Sequence, residues 1–270
     1  MKYYIRFLLC AALCGIMFFA TISGENNMVY ASDIIISLGF GTVECFPPYF
    51  INFVYYFTPI LIFQILYGTY IYRHFCSAFI YYFSRTENKI KWYIKQAFEL
   101  FFLSLLYVIL LLSSSIASAS IFNDVVFCKT NIVLVFYFLV IYVLFVFATT
   151  NLINILSIAF SGSVAFIIVD TIQILSMALF VLTDMISENE ITKKNLFILL
   201  NPVAHLVLRV HTGINEEMSS LYSTYGVIGK GFDFNISVFV YFIFMLISLI
   251  LGCVVVKKKD VIVNSEQEEF

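Results

Sequence analysis

Residues 132–183 read IVLVFYFLVIYVLFVFATTNLINILSIAFSGSVAFIIVDTIQILSMALFVLT and contain one charged side chain, Asp170. As a single helix rising 1.5 Å per residue, this stretch would be roughly 78 Å long, against a hydrocarbon core of about 30 Å. It must therefore fold as two spans joined by a tight turn, placed either at Ser161-Gly162-Ser163 or within Thr149–Asn154. Four further stretches share its apolar character. The reading is an all-α integral membrane protein, one domain over residues 1–270, with six transmembrane helices at 7–22, 51–72, 97–117, 132–150, 164–183 and 236–256.

Composition supports this class. The chain is 62% hydrophobic and 12% charged, whereas a soluble domain carries about 25% charged residues. Its formal net charge is −2, and no basic domain exists to hold a phosphate backbone, so nucleic acid is not an expected partner. The cysteines at 10, 14, 45, 76, 128 and 253 form no CxxC pair or Cys/His cluster of metal-ligand spacing. Cys10 and Cys14 share a helix face and read as small packing residues. The first stretch has a basic start, Lys2 and Arg6, as a cleaved signal peptide does; without an A-x-A cleavage site it reads in preference as an uncleaved span.

Lys and Arg accumulate in cytoplasmic loops. Lys2 and Arg6 precede span one, Arg73, Arg85, Lys89, Lys91 and Lys95 follow span two, and Lys257, Lys258 and Lys259 follow span six. The 23–50 loop has neither Lys nor Arg, and the loop after span three has Lys129 alone. Both termini are thus expected in the cytoplasm. Cys45 and Cys128 fall in segments placed outside, where a disulfide between them is open but unsupported by any distance. The 184–235 segment, with Lys193, Lys194, Arg209 and Lys230, is also placed outside, since long loops obey the rule poorly.

One stretch concentrates basic residues: FSRTENKIKWYIKQAFE, residues 83–99. Ile90, Tyr93, Ile94, Ala97 and Phe98 follow the spacing of one helix face, while Lys89, Lys91, Lys95 and Gln96 point elsewhere. The spacing predicts an amphipathic interfacial helix that lies at the inner surface and then turns into span three. Trp92 suits the headgroup level. Such a helix either binds lipid headgroups or docks a cytoplasmic partner.

In layout the chain resembles permease subunits of the type-2 class of ATP-binding-cassette exporters, which have six spans, both termini inside and an amphipathic helix after span two that meets the ATPase. YYFSRTENKIKWYIKQAF (81–98) is similar to that family's Ser-Arg, polar turn and basic-aromatic run. LFILLNPVAHLVLRVHTG (196–213) looks like its Asn-Pro within a short apolar stretch between spans five and six. The resemblance implies that Ser84, Arg85, Lys89, Lys91, Trp92 and Lys95 form an ATPase-coupling helix. It further implies that Asn201, Pro202 and His205 belong to an outer gate, and that a second permease half, identical or related, completes the pathway. The substrate class it implies is an antimicrobial peptide or another amphipathic molecule, in a bacterial plasma membrane. On the residues themselves, the apolar run 196–210 is too short to cross and contains Pro202, so it reads as a re-entrant or interfacial segment.

Catalytic signals are weak. GVIGKGF (226–232) lacks the spacing and the hydroxyl of a phosphate loop, and the cytoplasmic parts are too short for a nucleotide-binding domain. No cofactor is expected on this chain, and ATP is expected in a partner subunit. No HExxH is present, no Arg follows Glu216-Glu217 at the expected spacing, and His74, His205 and His211 lie outside the spans, away from Ser161 and Ser163. His205 and Arg209, i and i+4, read as a solvated helix face. Asp170 and Gln173 mark an intramembrane polar patch, on the substrate path or the dimer seam, or else an interior hydrogen bond. Glu99 is expected to pair with Lys95 one turn away. The alternative function is a non-transporting immunity or sensor protein that binds a partner.

Overall fold

The computed structural model describes residues 2–19, 28–39, 48–81, 88–127, 129–184, 199–208, 211–212 and 232–259. Helix α1 (Lys2–Phe19) leads into strand β1 (Met28–Tyr30) and a short helix α2 (Ala31–Leu38). Helix α3 (Pro48–Tyr67) and helix α4 (Tyr70–Tyr81) follow. Next come helix α5 (Lys89–Phe122), strand β2 (Asp124–Val126), helix α6 (Lys129–Ala159) and helix α7 (Gly162–Asp184). A 3-10 turn (Ala204–Leu206), strands β3 (His211–Thr212) and β4 (Phe232–Asp233) and helix α8 (Phe234–Lys258) complete the order.

Four of the described helices, α5, α6, α7 and α8, are long and apolar enough to cross a membrane. The chain is therefore a mainly helical membrane protein. The opening stretch breaks at Phe160 and Ser161, the first of the two expected turns, while Thr149–Asn154 is continuous helix. Helix α6 is the centre of the bundle, touching α2, α3, α4, α5, α7 and α8. Every residue from Ile141 to Asn151 is buried.

Small residues let the outer helices approach closely, as in membrane bundles generally. A Cβ on Gly15 of α1 would stand 1.9 Å from Ser114 Oγ of α5, and Ser115 Oγ donates to the Gly15 carbonyl at 2.9 Å. A Cβ on Gly252 of α8 would stand 2.0 Å from the Tyr93 hydroxyl of α5. Phe7, Ala11 and Cys14 of α1 are buried in the core.

Four features depart from the sequence reading. The second apolar stretch is not one helix: it breaks at Gly68 and Thr69, and α4 begins inside the range drawn for span two. The amphipathic helix after span two is α4, with Ile71 and Phe75 buried and Arg73, His74 and Ser77 exposed. Residues 89–98 are instead the first turns of α5, continuous with the span. Asn88 caps that helix by accepting from the Lys91 N–H at 3.1 Å, and no break follows where a turn into the membrane was expected. Short parallel pairings, β1 with β2 and β3 with β4, and the buried helix α2 occupy segments the sequence reading left as loops.

The break between α3 and α4 lies where Gly68 and Ile71 are buried, so the backbone groups it frees need partners from the protein itself. Asn154 of α6 supplies them. Its Oδ1 accepts from the Ile71 N–H at 2.7 Å and the Tyr72 N–H at 3.3 Å, and its Nδ2 donates to the Tyr67 carbonyl at 2.8 Å. The residue thus caps α4 from another helix while closing the end of α3. Gly68 has no room for a side chain at this crossing, where a Cβ would meet Phe166 Cζ and the Gln64 carbonyl at 2.5 Å. Asn154→Ala is expected to lower bundle stability by about 2–4 kcal/mol through stranded backbone groups. Ser157→Ala, whose hydroxyl bonds only its own helix at Ile153 O, should change it by less than about 1 kcal/mol. Equilibrium unfolding in detergent micelles measures both, and equal effects would contradict the capping role.

Candidate functional site

Two polar regions frame the bundle, one at the end where α8 closes with Lys257 in its last turn and one at the opposite end. At the first, Lys91 and Lys95 are exposed on the opening turns of α5, and Lys89 and Trp92 are half-buried. The Trp92 ring lies 5.9 Å from Phe75 of α4, so the two helices present one basic surface with Arg73 and His74. Ser84 and Arg85 lie outside the described residues. Tyr93, Gln96 and Ala97 turn inward, while Ile94 and Phe98 are 50% and 60% exposed. The expected face is therefore split by packing: Tyr93 is drawn into the core by Asn151, and Gln96, expected to point away, is buried. Glu99 accepts from the Tyr70 hydroxyl at 3.2 Å rather than pairing with Lys95.

This surface is tied to the interior by carboxamides on α6. The Asn151 amide reaches the Tyr93 hydroxyl of α5 (Nδ2 at 2.9 Å, Oδ1 at 3.1 Å), and its Nδ2 also donates to Ser248 Oγ of α8 at 3.1 Å. Two residues before Asn151, Thr149 Oγ1 accepts from Gln64 Nε2 of α3 at 3.1 Å. Thr149, Asn151 and Asn154 were missed as a site by the sequence reading, which weighed TTNLIN as a turn. The available signal was three strongly polar side chains, Thr149, Asn151 and Asn154, within two helical turns of an otherwise apolar span.

Asp170 and Gln173 lie one turn apart on α7. Gln173 is 4% exposed, and among the described residues neither of its amide atoms, nor Asp170 Oδ1, has a hydrogen-bond partner. Buried polar atoms of Ser32, Gln64, Gln96 and Thr150 are likewise without a partner among the described residues, but Gln173 is the residue with both amide atoms in that state.

At the opposite end, the chain is broken at Asn201-Pro202 as expected. Asn201 Oδ1 accepts from the Val203 N–H at 2.9 Å in a local turn, and its Nδ2 donates to the Ser176 carbonyl of α7. The Tyr241 hydroxyl of α8 donates to the Pro202 carbonyl. His205 is fully buried, which corrects its reading as part of a solvated face. Its Nδ1 lies 2.8 Å from Ser237 Oγ of α8, and its Nε2 lies 2.9 Å from the Leu199 carbonyl. His211, also fully buried, places Nε2 2.7 Å from the same Ser237 Oγ and Nδ1 3.1 and 3.2 Å from the Val207 and Leu208 carbonyls. Its ring stacks on Phe234 at 4.4 Å.

The partners fix the tautomers. Carbonyl oxygens only accept, so His205 Nε2 and His211 Nδ1 carry the protons of the neutral rings. Both nitrogens facing Ser237 are then acceptors, and the Ser237 hydroxyl is the donor that lies between them. Burial pushes the His211 imidazole down to about 3, with His205 adding to the effect and the Leu208 and Val207 carbonyls and Asp233 opposing it. Burial lowers His205 as well, against the Leu199 carbonyl. The arrangement is a latch: a serine buried in α8 holds two points of the preceding segment.

A lowered folded-state pKa means that the docked latch binds fewer protons than the released one. Its contribution is complete above about pH 6.5 and declines as pH falls from there toward 3, at up to about 1.4 kcal/mol per pH unit. Hydrogen exchange of residues 199–212 is expected to quicken between pH 7.5 and 5.5, beyond the change in intrinsic rate. Ser237→Ala should show weak protection at both values, and protection that is equal at both pH values in the unsubstituted chain would contradict the latch. No family model, curated protein or solved structure matches the chain.

Proposed function

We propose that the chain is the permease subunit of an ATP-binding-cassette exporter of the type-2 class. It crosses a bacterial plasma membrane six times with both termini in the cytoplasm, and pairs with a second permease half. A separate subunit hydrolyses ATP, and this chain carries no catalytic or cofactor site. An amphipathic molecule such as an antimicrobial peptide is the exported substrate.

The observation that supports this reading is the seating of the basic surface formed by α4 and the first turns of α5. Asn154 fixes the start of α4 to α6, and Asn151 fixes Tyr93 of α5 to both α6 and α8. A partner pressing on Arg73, Lys89, Lys91 and Lys95 would therefore move α6 and α8 rather than a loose loop. Helix α8 continues to Ser237, where the outer segment is latched. Contiguous packed and hydrogen-bonded elements are the physical means by which two distant sites are coupled. Asp170 and Gln173, with polar atoms unpartnered among the described residues, supply the polar patch on the substrate path or at the seam with the second half.

Lys89→Glu combined with Lys91→Glu reverses charge at the half-buried Lys89 and the exposed Lys91 and leaves Lys95 and Arg73 in place. We expect normal membrane insertion, with ATPase co-purification and export each reduced at least about tenfold, the equivalent of about 1.4 kcal/mol. Unchanged co-purification and export would contradict the coupling role. An ATPase that binds without any export of substrate would favour the non-transporting partner-binding protein.

A further inference from the structure

An open groove of about 550 Å³ runs between α5 and α8. Its floor is made by Ala97 of α5 and Phe147 of α6, both buried, and its sides by Phe98 and Ile250, both exposed to the surroundings of the bundle. The groove exists because α8 is pulled against α5 at Gly252 and Tyr93, while the short side chains of Ala97 and Cys253 leave the space beside that crossing unfilled. Apart from Lys257, every lining residue is apolar or a half-buried cysteine. Lys257 stands at the end of the groove, in the last turn of α8, followed by exposed Lys258 and Lys259. Lys259 Nζ donates to the Ala159 carbonyl, which leaves Lys257 as the cation of this run that lines the groove.

We propose that this groove binds one acyl chain of an anionic phospholipid, with the headgroup phosphate on Lys257. Length supports the assignment. The groove follows α5 from Ile90 to Phe101 and α8 from Met245 to Lys257, about 17–18 Å at 1.5 Å per residue. One leaflet of a core about 30 Å thick is about 15 Å deep, so the groove runs from headgroup level to the bilayer midplane. Chemistry supports it as well. A hydrocarbon wall has nothing to offer the N–H and C=O groups of an extended peptide, whose burial without partners is unfavourable. An acyl chain carries no such groups. Positive charge is confined to the headgroup end, where Lys257 lines the groove and Lys91 and Lys95 are exposed on the adjoining turns of α5. No carboxylate lines the groove. The lipid acts as a wedge between the helix that begins at the basic surface and the helix that reaches the outer latch.

Native mass spectrometry of the full chain, purified in detergent with equal amounts of phosphatidylglycerol and phosphatidylcholine, tests this directly. The chain is expected to retain one phosphatidylglycerol at about fivefold excess over phosphatidylcholine, the discrimination of one lysine near a headgroup. Lys257→Glu, an exposed substitution, should bring the ratio to about one, whereas Lys258→Glu should preserve the preference. Cys253→Phe, which fills the groove, should abolish retention of both lipids with an unchanged unfolding midpoint. Equal retention of the two lipids by the unsubstituted chain would overturn the proposal, as would a preference that survives Lys257→Glu. Loss of lipid only when a second copy of the chain dissociates would assign the groove to that copy instead.

Discussion

The carboxamide of Asn154 is the interaction on which the rest of the bundle depends. A chain that breaks a helix in a packed interior must find partners for the groups it frees, and here one side chain from α6 serves the N–H groups of Ile71 and Tyr72 and the carbonyl of Tyr67. That capping permits the turn at Gly68, and the turn redirects α4 so that Phe75 meets Trp92. Without a fixed break, the amphipathic face of α4 and the first turns of α5 would not form one surface. The same helix carries Asn151, three residues earlier, which binds α5 and α8. Two asparagines on one central helix thus set the positions of four neighbours.

Buried polar networks hold a unique arrangement when complete and weaken it when partly satisfied. In the α6 network Asn151 and Asn154 are engaged through both amide atoms, while Gln64 Oε1 and Thr150 Oγ1 have no partner among the described residues. At the other end, one buried serine of α8 holds two imidazoles of the preceding segment, and because both rings have a lowered proton affinity that hold weakens as pH falls. Asp170 Oδ1 and both amide atoms of Gln173 on α7 differ again, being buried without a partner among the described residues. In membrane bundles, polar side chains without an internal role are rare.

Much of the helical architecture was legible from hydropathy alone. That a turn must divide residues 132–183, and that Cys14 packs in the interior, follow from residue type and spacing, whereas the choice of Ser161 over Thr149–Asn154 came from the structure. The broken second span was not legible, because Gly68 and Thr69 are ordinary within an apolar helix and their partner lies 83 to 87 residues away in sequence. The amphipathic helix was placed one segment too late for a related reason. Lysines are a louder signal than Arg73 and His74, yet they sit on turns that tertiary contacts fuse to α5. His205 and His211 were read by local spacing, and the contact that buries them comes from Ser237 of α8. Periodicity reports which face of a helix is apolar; it carries no information about which distant side chain completes a backbone.

The central claim is a six-crossing chain with its basic surface and both termini on the cytoplasmic side. It is tested most directly by mapping topology in intact cells. Variants that keep Cys45 or Cys128 as the sole cysteine should react with a membrane-impermeant maleimide from outside, while an alkaline phosphatase fused after Phe270 should be inactive and a green fluorescent protein at the same position bright. An active phosphatase at Phe270, or cysteines labelled only after permeabilisation, would contradict the account.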